Sequence, residues 1–219
     1  IADYDGDGIP EIAISTVVPD PYRNEDPIAT PRSVVVYELD GNQLWRYIHP
    51  QWTHGHNTIA SFDFDGDGRH ELLYPSHYEI LVLDGLTGTP RESIPHSTAS
   101  FGENRTVANV DTDPDAELII SWSGIYGGVR VINSAGSSWM PARSVWNQQE
   151  YSVTNINEDG SIPAVVVPSW QSNSEADWLS YNNFRAQINP YCPPQGLDLG
   201  IFNVERAINN SPVTVNVVN

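Results

Sequence analysis

Lysine is absent from the 219 residues, cysteine and methionine occur once each, and basic charge rests on ten arginines alone. Each shortage removes a class of protein. Cys192 stands alone, so it closes no internal disulfide and builds no thiolate metal site. A formal net charge of −18 opposes nonspecific attraction to nucleic-acid phosphates or anionic lipid, and makes cations the natural partners. No run approaches the roughly 20 apolar residues that a membrane span needs, so no membrane insertion is expected. Neither a nucleophile elbow of the G-x-S-x-G kind nor a phosphate-cradling glycine loop occurs. Apolar stripes of helical period are nearly missing as well, which argues against helical solenoids.

The residues that are plentiful point the other way. Seven Trp and ten Tyr accompany 16 Gly and 17 Pro spread along the chain, a composition of short strands and turns. The length suffices for one large domain, or one domain and a fragment of another, around a substantial core.

Internal repeats organise the sequence. "IADYDGDGIPEI" at the start returns as "VANVDTDPDAEL" from Val107 and more faintly as "VTNINEDGSIPA" from Val153, while "DFDGDGRHELLY" begins at Asp63. Counted from their first polar residue, the copies start at Asp3, Asp63, Asn109 and Asn155, in steps of 60, 46 and 46 residues. The Pro-rich insertion "VVPDPYRNEDPIATPRS" accounts for the longer first step. A register shifted by two would also align "TIASFDFD" with "TVANVDTD"; starting at Asp63 preserves the spacing to Glu71.

Between the acidic copies lie "SVVVYELDGNQLWRY", "YEILVLDGLTGTPRE" and "GGVRVINSAGSSWMP", each a β-rich run, a turn and a second short run. These read as hairpins. With one strand entering the acidic loop and one leaving it ("EIAIST", "ELLYPS", "ELIISW"), each repeat holds about four short strands. That is the signature of propeller blades, so the expected fold is all-β: a partial β-propeller of about four repeats.

The acidic loops carry chemistry of their own. Carboxylates at positions 1, 3 and 5 of a tight turn direct oxygens to one centre, Gly at position 6 lets the chain fold back, and a carboxylate at position 9 closes the site. The sets are Asp3, Asp5, Asp7 and Glu11; Asp63, Asp65, Asp67 and Glu71; and Asn109, Asp111, Asp113 and Glu117, with Pro114 at position 6. Hard oxygens without His or Cys select Ca²⁺. Without a cation, like charges about 5 Å apart repel by about 1 kcal/mol per pair even in high dielectric. An EF-hand is excluded, because it needs Glu at position 12 and flanking helices, whereas Ile14 and Tyr74 stand there beside strands. Ordinary acidic turns on a solvated surface are the plain alternative. Against it, 12 of the 28 acidic residues lie in three small loops at matching offsets. The fourth copy has Asn155, Asn157 and Asp159 but Pro163 at position 9, and is expected to have lost its metal.

"DYDGDGIPEI" and "DFDGDGRHEL" resemble the loops of the FG-GAP/VCBS repeat family, calcium-bearing β-propellers of secreted and cell-surface proteins. Over about residues 1 to 165, the resemblance implies the side-chain ligands above together with backbone carbonyls of Ile9, Arg69 and Asp115. Position 9 is commonly Asp in that family and is Glu here, and the FG-GAP tripeptide itself is missing. "SSWMPARSVWNQQEYSVTNINEDGSIP" and "LSYNNFRAQINPY" resemble the closing part of such propellers in large bacterial surface proteins. "LDLGIFNVERAINNSPVTVNVVN" resembles the opening strands of a CARDB-type immunoglobulin-like module. The resemblance thus divides the chain into a propeller segment, 1–192, and a linker with the start of a β-sandwich, 193–219. It also implies a window on a longer, extracellular chain.

Other candidates are weaker. His54 and His56 lie at i, i+2 in "QWTHGHNT" but lack a third metal ligand. Trp45, Trp52, Trp122, Trp139, Trp146, Trp170 and Trp178 could stack on sugars, although in propellers such residues more often fill the space between blades. The expected function is a calcium-stabilised adhesion or scaffold segment with a glycan or protein ligand, without catalysis. Two enzyme readings stand beside it. One is a polysaccharide lyase, which needs a base beside the metal. The other is a quinone-dependent dehydrogenase, hinted at by "VLDGLTGTP".

Overall fold

A computed structural model of the chain describes residues 1–17, 32–50, 58–97, 104–122, 127–135, 138–169 and 183–190. The Pro-rich insertion for the most part, His54 and His56, Trp52, Trp170, Trp178, Cys192 and the expected sandwich segment 193–219 lie outside these residues.

The described chain is all-β, with no helix among the described residues. Ten strands form three antiparallel meanders. The first sheet is β1 (Ile12–Val17), β2 (Arg32–Tyr37) and β3 (Gln43–Ile48). The second is β4 (Ala60–Phe62), β5 (Glu71–Pro75), β6 (Glu79–Leu83) and β7 (Pro90–Pro95). The third is β8 (Arg105–Ala108), β9 (Glu117–Trp122) and β10 (Gly128–Ile132). Consecutive strands pair in each, and short turns join β2 to β3 at Asp40-Gly41 and β6 to β7 at Asp84-Gly85.

The second sheet is apolar on both faces because both are covered. Side chains alternate along a strand. Leu73, Ile80 and Val82 join Val107, Leu118 and Ile120 of the third sheet in one core, while Leu72, Tyr74, Leu81 and Leu83 join Val34, Val36 and Trp45 of the first in another. β10 is solvated instead, with Val129 and Val131 exposed. Trp45 and Trp139 fill the spaces between sheets: the Trp45 indole lies where a Cβ on Gly88 would sit, 2.4 Å away, and Trp139 packs on Phe64.

Repeat register follows from the pairing. Ala2 bridges Glu11, Phe62 pairs with Glu71 and Ala108 pairs with Glu117, so Asp3, Asp63 and Asn109 are equivalent and the steps of 60 and 46 hold. The alternative register is excluded.

Two details differ from expectation. Among the described residues the sheets hold three, four and three strands, and the fourth copy, 153–164, forms turns where a further blade was expected. Asn157 and Ser161 close that turn on each other, and Pro163 supplies no ladder donor. The run "SWMP", residues 138–141, is not a second hairpin strand either. Its backbone threads between two acidic loops, with Met140 N donating to Phe64 O at 3.0 Å and Met140 O accepting from Ala116 N at 3.0 Å.

The segment 183–190 returns to the first two sheets, bridging Ala186 to Ser61 in parallel. Gln187 is its anchor. Fully buried, it donates to Val107 O (3.0 Å) and Val145 O (3.1 Å) and accepts from the Tyr151 hydroxyl (2.8 Å).

Candidate metal centres

Each acidic loop sits where a strand-entry residue turns into the next strand, and its carboxylates organise its own backbone. In the first loop Asp3 accepts from Gly6 N (2.7 Å) and Gly8 N (2.9 Å), Asp5 from Asp7 N and Asp7 from Ile9 N. The second loop repeats this with Asp63, Asp65 and Asp67 accepting from Gly66, Gly68, Asp67 and Arg69. Gly8 and Gly68 have φ of +84° and +87°, a left-handed turn for which glycine is suited.

In the third loop Pro114 has no N–H to offer at that place. Asn109 replaces the missing bond by donating its Nδ2 to Asp113 O at 2.6 Å. Asp111 and Asp113 keep their bonds to the amides two residues on.

Position 9 is common to all three. Glu11, Glu71 and Glu117 are buried, and Oε2 of each accepts the backbone N–H of the position-2 residue: Tyr4 at 2.6 Å, Phe64 at 2.8 Å and Val110 at 2.8 Å. The other oxygen differs. Oε1 of Glu11 and of Glu117 is buried with no hydrogen-bond partner, whereas Oε1 of Glu71 accepts from Arg91 at 3.0 Å.

The carboxylates of Asp3, Asp5, Asp7 and Glu11 each offer an oxygen within 4.8 Å of the others. Asp63, Asp65 and Glu71 do so in the second loop, and Asp111, Asp113 and Glu117 in the third. Asp67 is not drawn into its set, because Arg69 pairs with it. Asn109 keeps its side chain on the loop backbone. Ile9, Arg69 and Asp115 follow the position-5 aspartate in each loop, their amides bonded to it.

Burial, and after it crowding, raises the carboxyls' affinity for protons. Burial, then Asp5, Asp3 and Glu38, push Glu11 up to about 8 against the bond from Tyr4 N. Glu71 is also pushed up to about 8, burial leading, and Asp63 to about 6 by burial and its two aspartate neighbours. Asp3 and Glu117 are raised for the same reasons, burial first. Such clustered carboxyls need either protons or a cation. The four oxygens of the first loop, and the three of each other loop, are of the kind that can ligate a hard cation.

Residues 3–74 match the FG-GAP-like repeat family. The matched FG-GAP-like span holds the first two loops and ends within β5. No curated protein matches the chain in sequence. Among solved structures, the biofilm matrix protein Bap1 of V. cholerae is similar, with a TM-score of 0.61 and 28% identity over 72% of this chain. The chain spans 27% of that protein's length.

Sequence reading passed over Arg91 and Arg143. Arg91 falls at a bulge in the second hairpin, where the first has Leu44, and only a comparison of hairpins would have singled it out. Arg143 is buried in the fourth copy, where it donates to Val153 O, Ile156 O, the Tyr151 hydroxyl and Glu158. A protein cation thus serves the copy whose position 9 is proline.

Proposed function

We propose that the chain is a calcium-stabilised extracellular segment of a larger surface or matrix protein, acting in adhesion or as a scaffold, with its sheets as successive propeller blades. One observation carries the calcium reading. In the first and third loops, a buried glutamate fixed by one oxygen leaves the other without a hydrogen-bond partner, beside carboxylates that converge within 4.8 Å. A buried anionic oxygen left so is costly unless a cation meets it.

The donors fit calcium in kind and number. Asp3, Asp5, Asp7 and Glu11 supply hard oxygens, and the Ile9 carbonyl with water would bring the total toward the six to eight that Ca²⁺ takes. The second site would use Asp63, Asp65, Glu71 and the Arg69 carbonyl, with Asp67 once released from Arg69. The third would use Asn109, Asp111, Asp113, Glu117 and the Asp115 carbonyl. Bound there, the ion ties strand entry to strand exit in each repeat.

Three observations support blades. Each sheet is an antiparallel meander, the second packs on both neighbours, and β4 lies against β8. Likeness to a biofilm matrix protein supports an extracellular location, and a glycan or a protein is the ligand expected there. The test is binding of the chain to arrayed glycans and matrix proteins in calcium and in EDTA. Calcium-dependent binding without turnover is expected; depolymerisation of a polysaccharide would overturn the non-enzymatic reading.

A further inference from the structure

On the reading of the loops as calcium sites, the second loop differs from the others in holding a cation of the protein's own. Arg91 Nη1 donates to Glu71 Oε1 at 3.0 Å and to Asp65 Oδ2. Nε and Nη2 hold Asp84 Oδ2 at 2.8 and 2.5 Å, and Nη2 lies 3.8 Å from Asp67. The guanidinium therefore meets the very oxygen that has no partner in Glu11 and Glu117.

We propose that Arg91 is a built-in counterion that latches the second loop in place of calcium, so that this site takes up the ion only when Arg91 is displaced.

The bulge explains how the side chain arrives. The register of β6 and β7 slips between Val82 and Leu83, leaving Arg91 as the extra residue, and a bulge re-aims the side chain it carries. β2 and β3 slip at the same place, between Val36 and Tyr37, but the extra residue is Leu44, half-buried against the apolar core. Position 38 completes the contrast. Glu38 adds a further carboxylate near the first loop, whereas its counterpart Asp84 anchors Arg91. In the third sheet the counterpart is Asn133, and among the described residues no arginine pairs with Asp111, Asp113 or Glu117.

Occupancy of the second loop is exclusive. Calcium would need Asp65 and Glu71 oxygens at about 2.3–2.6 Å from its own centre, and the guanidinium already lies between them. Arginine stays charged at all working pH, so proton release does not open the latch. The central sheet is thereby held without metal, while the loops of its neighbours depend on it.

Isothermal titration with calcium chloride on the whole chain, wild type against Arg91→Gln, decides the matter. Arg91→Gln is expected to bind one more high-affinity ion than the wild type, or to tighten a weak wild-type site by about tenfold or more. Asp84→Asn, which frees the arginine's anchor without touching a ligand, should tighten the same site by a smaller factor. A wild type that binds calcium, with neither variant gaining a site or affinity, would overturn the latch. A wild type that binds no calcium would instead overturn the reading of the loops on which the latch rests.

Discussion

In the first acidic loop Asp3, Asp5, Asp7 and Glu11 converge with Glu38 nearby, and among the described residues no arginine pairs with any of them. In the second loop the same backbone bonds are made by Asp63, Asp65 and Asp67, yet Arg69 and Arg91 stand among the carboxylates. Local geometry is thus nearly independent of charge balance. Asp-to-amide bonds set the shape of the turn, and a single bulge residue, Arg91, sets which cation of the protein stands among the carboxylates of the second loop.

The comparison breaks most visibly when calcium is removed. At about 100-fold excess over Kd, each occupied site contributes about 2.7 kcal/mol, and a chain of this size shifts by roughly 2–4 °C per kcal/mol. Chelation with EDTA should therefore lower the melting temperature by about 10 °C or more if two sites fill, and added calcium should restore it. Scanning calorimetry in the two buffers checks this.

Next come the position-9 glutamates. Glu11→Ala removes a ligand and leaves the buried Tyr4 N–H without its 2.6 Å bond, a loss of about 2–4 kcal/mol in calcium that shrinks in EDTA. Glu71→Ala should cost a similar amount in both buffers, because its partner is Arg91. Urea denaturation with and without calcium separates the two. Equal calcium dependence in both variants would erase the distinction between the loops.

Gly85→Ala tests the contact that carries the first loop onto the second sheet. A Cβ there would lie 2.4 Å from Tyr4 O and 2.3 Å from His70 O, both backbone atoms. Overpacking of this kind costs about 1–3 kcal/mol, and calcium affinity of the first loop should fall with it. Parallel urea and calcium titrations read both effects.

Proton linkage supplies a gentler test. In the metal-free chain Glu11 and Glu71 sit up at about 8 against an ordinary 4.5. The folded chain then keeps protons that the unfolded chain releases, so their contribution is full below about 4.5 and is lost as pH rises through about 8. Melting in EDTA should fall between pH 5 and pH 8. The gap between calcium and EDTA should widen over the same window, because the ion needs the charged carboxylates. Smallest of all, Glu38→Gln should raise the metal-free stability by about 0.5 kcal/mol, through relief of one like charge at a partly exposed position.

Much of this was legible in the sequence for a physical reason. The loop donors lie within nine residues of one another, and the bonds from Asp3 or Asp63 to their own glycines need no distant partner. The strands at Ile12, Glu71 and Glu117 were legible because the hairpin turns and alternating runs are local too. Arg91 was not, because its role depends on which residue of β7 is extra opposite β6. Gln187 was hidden for a similar reason, since its partners at Val107, Val145 and Tyr151 are far away in sequence. The weak fourth copy showed its lost carboxylate at Pro163, but nothing local announced that Arg143 would be buried in it.

Bound calcium per chain, measured by atomic emission after equilibrium dialysis against micromolar calcium, tests the central claim most directly when wild type and the Asp3→Asn, Asp5→Asn double variant are run side by side. The account predicts that the wild type retains calcium and that the variant retains one ion fewer. No calcium in the wild type, or the same count in both, would contradict it.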